Sequence, residues 1–357
     1  MREGLTRRQV IGGLAVGGPL AALGLAACGG DDGDAAAAAG TSVARDHSVP
    51  QEASFDPGPP VAPREPHTTF PAEAPPRSTT RRHEIVFEVD EHLREIAPDR
   101  TMLAWGFNIP GRPGRVPSPV LRVTEGDRID FTLRNTGSLQ HSMDFHAAKI
   151  SWSRHYGAVD PGEEASFSWI AKVPGVFMYH CGVPPVLLHV GQGQHGMIIV
   201  DPKDESLLPP AREFAICQTD LYPGRNGEIS DYARLQKGDP EFVVFNGYAN
   251  QYTGENALRI EKGERVRVFV QNAGPSRWSA FHVIGALFDR VFVEGIYREN
   301  LTRGSQTLNL APSQGAVVEF TVEEEGSYPF VSHDFHDHAK GAFGLFTTNG
   351  EKTAASG

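Results

Sequence analysis

Fourteen histidines stand against three cysteines in this chain, and neutral imidazole is the commonest metal ligand among side chains. The densest chemistry lies in Tyr179-His180-Cys181-Gly182-Val183-Pro184-Pro185-Val186-Leu187-Leu188-His189, with Gln194 five residues further on. A strand delivers a lone Cys, the loop 182–188 follows, and a His closes it. One thiolate and two imidazoles in a trigonal set, with a weak axial fourth ligand, are what an electron-transfer copper site requires. His141, at the end of the preceding strand pair, is the candidate for the second imidazole. A buried Cys is otherwise a small core hydrophobe. That is the reading of Cys217 in the plain strand Phe214-Ala215-Ile216-Cys217-Gln218.

A second constellation overlaps the first. His141-Ser142-Met143-Asp144-Phe145-His146 places an imidazole at each end with a carboxylate between. Alternate strand residues share a face, so positions five apart fall on opposite faces. One His then serves the cysteine site while the other points outward. His180 and Cys181, as strand neighbours, divide in the same way. A His146–His180 pair at the outer surface needs a third ligand. The comparable His in the second half is His333, closing Gly326-Ser327-Tyr328-Pro329-Phe330-Val331-Ser332-His333. Three imidazoles with an open position make a catalytic metal site rather than a structural one.

Such ligands need a rigid β scaffold, and the sequence supplies one. Short runs recur at His83–Val89, Val120–Val123, Arg128–Leu133, Ala165–Ile170, Val176–Tyr179 and Met197–Val200, parted by Gly, Pro, Asp and Asn. They predict an antiparallel sandwich or Greek-key barrel. The texture repeats at Glu213–Gln218, Glu241–Phe245, Ala257–Ile260, Arg265–Gln271, Val317–Val322 and Ser327–Val331. Leu121-Arg122-Val123-Thr124-Glu125-Gly126-Asp127-Arg128 also parallels Leu258-Arg259-Ile260-Glu261-Lys262-Gly263-Glu264-Arg265. One domain is therefore duplicated, over 82–203 and 212–349.

Composition agrees. The 357 residues suffice for two cores, and 39 Gly with 27 Pro suit a β-rich protein. The net charge of −11 argues against a nucleic-acid partner. Residues 1–28 read as an export signal. Thr6-Arg7-Arg8-Gln9-Val10-Ile11 resembles a twin-arginine motif, and Leu25-Ala26-Ala27-Cys28 resembles a lipobox whose Cys28 becomes lipidated. The expected location is extracytoplasmic, with a lipid anchor as the only membrane contact; a plain transmembrane anchor is the alternative. Residues 29–81 are rich in Ala, Asp, Gly and Pro and read as a disordered tether, with His47 and His67 solvated.

The motifs His141–Ala148, Pro174–Cys181, Phe245-Asn246-Gly247, Phe281-His282-Val283-Ile284-Gly285 and Tyr328–His333 together resemble copper-containing nitrite reductases. The resemblance spans roughly residues 82–348. It implies an all-β subunit of two tandem cupredoxin-like domains, a homotrimer, and two coppers per subunit, type 1 and type 2. His141, Cys181 and His189 match the type 1 ligands. His146, His180 and His333 match the type 2 ligands, with His333 supplied by the neighbouring subunit. Asp144 and His282 match the proton-delivering pair, and Ile284 the apolar residue that shapes the pocket. The implied reaction is the one-electron reduction of nitrite to nitric oxide. The electron would come from a small donor protein, a cupredoxin or cytochrome c, and pass from type 1 to type 2 copper through Cys181–His180.

The chain departs from that family in places. Gln194 stands where members usually carry the axial Met, and its harder amide oxygen predicts a lowered reduction potential. Met197 is the alternative axial ligand. The ligand loop is one residue shorter than the common form, and Leu287 replaces a further His. His195, His336 and His338 read as neighbours of the sites or surface residues. A laccase-like multicopper oxidase would need four His-x-His pairs, and only His336-Asp337-His338 has that form. The other rivals are a cupredoxin electron carrier and a zinc site at the three histidines.

Overall fold

The computed structural model describes residues 56–348 except Pro113. The first half holds β1 (Arg82–Ala97), β2 (Arg100–Asn108), β3 (Leu121–Thr124), β4 (Arg128–Arg134), β5 (Asp144–Phe145), β6 (Glu164–Ile170), β7 (Gly175–His180) and β8 (His195–Asp201). The second half holds β9 (Arg212–Leu221), β10 (Phe242–Phe245), β11 (Leu258–Ile260), β12 (Val266–Gly274), β13 (Ser279–Val283) and β14 (Arg290–Val293). It continues with β15 (Leu301–Thr302), β16 (Thr307–Leu310), β17 (Gly315–Phe320), β18 (Ser327–Ser332) and β19 (Phe343–Thr348). Four short helices punctuate them: α1 (Trp152–His155), α2 (Val186–Gly191), α3 (Tyr232–Lys237) and α4 (Phe335–Ala339).

Alternation decides which face is buried. In β4, Ile129, Phe131 and Leu133 are buried while Arg128 and Arg134 are exposed, the period of two that a half-buried strand requires. Two sheets, in the orders β2-β1-β4-β6 and β3-β8-β7-β5, sandwich a core of Phe87, Phe131, Phe145, Tyr179, Ile198 and others. The second half repeats the plan with β10-β9-β12-β17-β14-β15 against β11-β19-β18-β13-β16. The parallel pairs β1·β4 and β3·β8 recur as β9·β12 and β11·β19. The antiparallel pairs β5·β7 and β7·β8 recur as β13·β18 and β18·β19. The fold is all-β and built twice.

The halves share an apolar seam: Val176, Met178, Met197 and Ile199 of the first pack on Ala215, Cys217, Phe269 and Val317 of the second. Cys217 is thus a buried packing residue, and burial pushes its thiol up to about 12. An ion-pair chain runs alongside. Arg122 pairs with Asp201 and with Glu213, and Glu213 also pairs with Arg267, which reaches Glu319.

Two expectations are corrected. First, β1 does not stop near Val89; it continues to Ala97 and turns back as β2. That arm buries Met102 and Ala104 against Leu221, Phe242 and Val244 of the second half. Its apolar residues are buried without alternation, so the period-two signal is missing. Second, residues 56–81 are not solvated tether. Phe70 and Ala72 are buried, Ala74 N–H donates to Glu213 O at 3.1 Å, and the Tyr252 hydroxyl donates to Phe70 O at 2.9 Å. His67, read as solvated, stacks on Tyr248 with ring centroids 3.7 Å apart. A few apolar side chains and backbone hydrogen bonds anchor a strap whose composition alone would not. The export motif, Cys28 and His47 lie outside the described residues.

Candidate metal centres

Cys181 leaves the end of β7, and its Sγ lies fully buried. Pro184-Pro185 opens α2, which carries His189 back beside it. His141 approaches from a short bridge to Val159. The three donor atoms converge: Cys181 Sγ lies 3.4 Å from His189 Nδ1 and 3.9 Å from His141 Nδ1. Gln194 Oε1 completes the set at 2.8 Å from His141 Nδ1 and 3.0 Å from His189 Nδ1. Met197, the other axial candidate, is packed into the seam between the halves.

The donor chemistry of this cluster fits a cation. Glu91 Oε1 lies 3.3 Å from His141 Nε2, and a carboxylate can only accept, so Nε2 carries the proton. His141 Nδ1 therefore presents a lone pair to the Gln194 amide oxygen, which has no proton to share with it, and to the Cys181 sulfur. Burial lowers the pKa of both imidazoles, so both rings are neutral, the form in which an imidazole can bind a metal. Burial also pushes the Cys181 thiol up, while the N–H groups of Val183 and Ser142 aimed at sulfur pull it down. A bound cation would displace that proton.

The second group stands back to back with the first. His180 precedes Cys181, and its Nδ1 donates to the Cys181 carbonyl at 2.8 Å. That leaves His180 Nε2 bare, 3.0 Å from His146 Nε2. Burial, with His180 alongside, lowers the His146 pKa. Asp144 pairs with His180 across β5 and β7, and its carboxylate joins the two imidazoles in one cluster of donor atoms within 4.8 Å. The opposite facing of His141 and His146 has a different origin from the one expected. β5 is only Asp144–Phe145, so the segment breaks rather than running as one strand.

His282 and His333 form a separate pair in the second half, with ring centroids 5.4 Å apart. His282 Nδ1 donates to Gln306 O at 2.6 Å, fixing the ring. Ile284, Leu287, Trp278 and Phe335 are exposed near them in sequence. The structure therefore brings together two imidazoles and Asp144 in the first half, and two imidazoles in the second. His336 is 92% exposed in its side chain. His195 is fully buried, and burial pulls its pKa down to about 3.

A multicopper oxidase family model covers residues 96–205. The copper-containing nitrite reductase of Neisseria gonorrhoeae is 36% identical over 298 residues, covering 79% of this chain and 73% of that protein. The chain belongs to the copper-containing nitrite reductase family. The Alcaligenes xylosoxydans xylosoxydans member is 33% identical, covering 68% of this chain and 79% of its own. The solved copper nitrite reductase of Nitrosomonas europaea superposes with a TM-score of 0.70 at 32% identity, covering 76% of this chain and 95% of that one. Family membership implies copper, and the donor sets described here suit it.

Glu91 and Trp105 were missed by sequence reading. Trp105 packs edge-on against both His189 and His141, at 5.1 and 5.8 Å. Neither residue has a local motif, and both come from the unforeseen arm of β1 and β2.

Proposed function

We propose that this chain reduces nitrite to nitric oxide, NO2⁻ + 2H⁺ + e⁻ → NO + H2O. One observation carries the reading: the neighbours His180 and Cys181 belong to two different donor clusters, so one peptide links a buried thiolate set to an exposed imidazole set. Copper in these sites, type 1 at Cys181 and type 2 at His180, supplies one-electron redox chemistry and Lewis acidity toward the bound anion. The residues then have separate tasks. His141, Cys181, His189 and Gln194 would hold the relay copper, buried away from water. His146 and His180 bind at the exposed site. Asp144, among them, can hydrogen-bond a nitrite oxygen and pass it a proton. His282 can hold or release a proton at Nε2 while its Nδ1–H stays on Gln306 O, and Ile284 limits the room beside it.

The exposed cluster has two imidazoles where an open catalytic site wants three. His333, paired with His282, is the third if a second copy docks its second half there, and a homotrimer closes that arrangement. Export by the twin-arginine route, lipidation at Cys28, domains over 82–203 and 212–349 and a small donor protein complete the proposal. The His-x-His count speaks against the laccase-like alternative.

Subunit sharing gives the test. The variants His146→Ala and His333→Ala, each made alone, should lose one copper and nitrite turnover. Coexpressed, they should regain part of both, because a mixed trimer contains some intact sites. No recovery in demonstrably mixed oligomers would contradict the shared site.

A further inference from the structure

Among the charged groups around the buried cluster, one carboxylate is held in place with unusual care. Glu91 sits on β1 directly opposite Trp105 of β2. Its Oε1 accepts from Ser138 N–H at 2.9 Å and its Oε2 from the Ser138 hydroxyl at 2.8 Å. The remaining contact is His141 Nε2 at 3.3 Å. The Glu91 side chain is 16% exposed and that of His141 is wholly buried.

We propose that Glu91 is a positioning residue for electron transfer, anchoring His141 and biasing the Cys181 cluster toward the oxidised metal ion. This rests on the reading of that cluster as the type 1 copper site. Three physical consequences follow from the contact. The carboxylate fixes the proton of His141 on Nε2, so Nδ1 faces the thiolate at all times. The ring is held in orientation between Glu91 and the edge of Trp105. The negative charge also makes the imidazole a stronger donor, and a dipositive ion gains more from that than a monopositive one. Hydrogen bonds to ionised groups are the strong ones, and partial burial shields this one from solvent. Glu91 and the Gln194 oxygen would then act in the same direction, each disfavouring reduction. The arm of β1 and β2 gains a role beyond packing: it delivers both Glu91 and Trp105 to the site.

The test uses the copper-loaded full chain, read in two ways. The visible thiolate-to-copper band reports whether the site is assembled. The ratio of reduced to oxidised protein against a mediator of known potential reports the bias. Glu91→Gln keeps shape and acceptor but removes the charge. It should keep the band and shift the ratio toward reduced by about tenfold, equivalent to ~59 mV for one electron. Glu91→Ala should shift it likewise and also broaden the paramagnetic spectrum, because the ring loses its anchor. An intact band with an unmoved ratio in Glu91→Gln overturns the role of Glu91 and leaves the copper site standing. A wild-type protein that binds copper without the band overturns the site reading, and this proposal with it. Should Glu91→Gln fail to fold, Glu91→Asp withdraws the carboxylate from His141. A several-fold shift in the same direction is then expected, and none would refute the proposal.

Discussion

Replacing Asp220 by Asn should stabilise this protein by a margin that grows as pH rises from 5 to 8. Asp220 is fully buried at the end of β9. Its Oδ2 accepts from Ser276 N–H at 2.8 Å and Arg277 N–H at 2.6 Å, while Oδ1 has no partner. Burial pushes the carboxyl up from 3.8 to about 7; the two N–H groups pull it down, and Asp337 adds to the rise. A raised carboxyl means that the folded state holds the proton more tightly than the unfolded chain. Its contribution is fully present below pH ~3.8 and is lost as pH rises through about 7. Two pH units between 5 and 7, at ~1.4 kcal/mol each, give about 3 kcal/mol lost between pH 5 and pH 8. Asn keeps an oxygen for Ser276 and Arg277 and cannot ionise. Denaturant unfolding of both proteins at pH 5 and pH 8 measures this. The margin of the variant over wild type should grow by about 3 kcal/mol between pH 5 and pH 8. Parallel pH profiles would refute the reasoning. The consequence reaches the site, because Arg277 also bonds Asp334 and Asp337, which begin and brace α4 just after His333.

Three further outcomes are expected. Gln194→Met exchanges a hard amide oxygen for a soft thioether, so the copper-loaded protein should become easier to reduce; an unchanged mediator equilibrium rules Gln194 out as the axial donor. Glu213→Ala strips a partner from both Arg122 and Arg267, whose side chains are 1% and 0% exposed. It should cost about 3 kcal/mol in denaturant unfolding, and a loss under ~1 kcal/mol would mean that Asp201 and Glu319 suffice. Cys181→Ser should abolish the visible band while leaving the far-ultraviolet spectrum intact, and a surviving band would assign it to another sulfur.

What the sequence made legible is what lies close together along the chain. Cys181, His189 and Gln194 occupy one short segment, and His180 is fixed by its neighbour, so both clusters could be drafted from spacing. The duplication was readable because Leu121–Arg128 and Leu258–Arg265 share a turn. The strap and the arm were not readable. Phe70 and Ala72 are isolated apolar anchors in a Pro-rich polar stretch, and Met102–Phe107 is buried without the alternation that marks a half-exposed strand. Glu91 lies fifty residues before His141, with no motif to join them; only the arm's path brings them together. Met197 was a fair axial candidate by residue type, and strand parity on β8 turned it into the seam instead.

Nitrite turnover by the copper-loaded protein tests the central claim most directly. Nitric oxide would be followed at an electrode with an artificial one-electron reductant, alongside metal analysis. The expected result is two coppers per chain and one nitric oxide per electron delivered, with turnover lost in Cys181→Ser. Two coppers per chain with the visible band present and no nitric oxide formed would contradict the account.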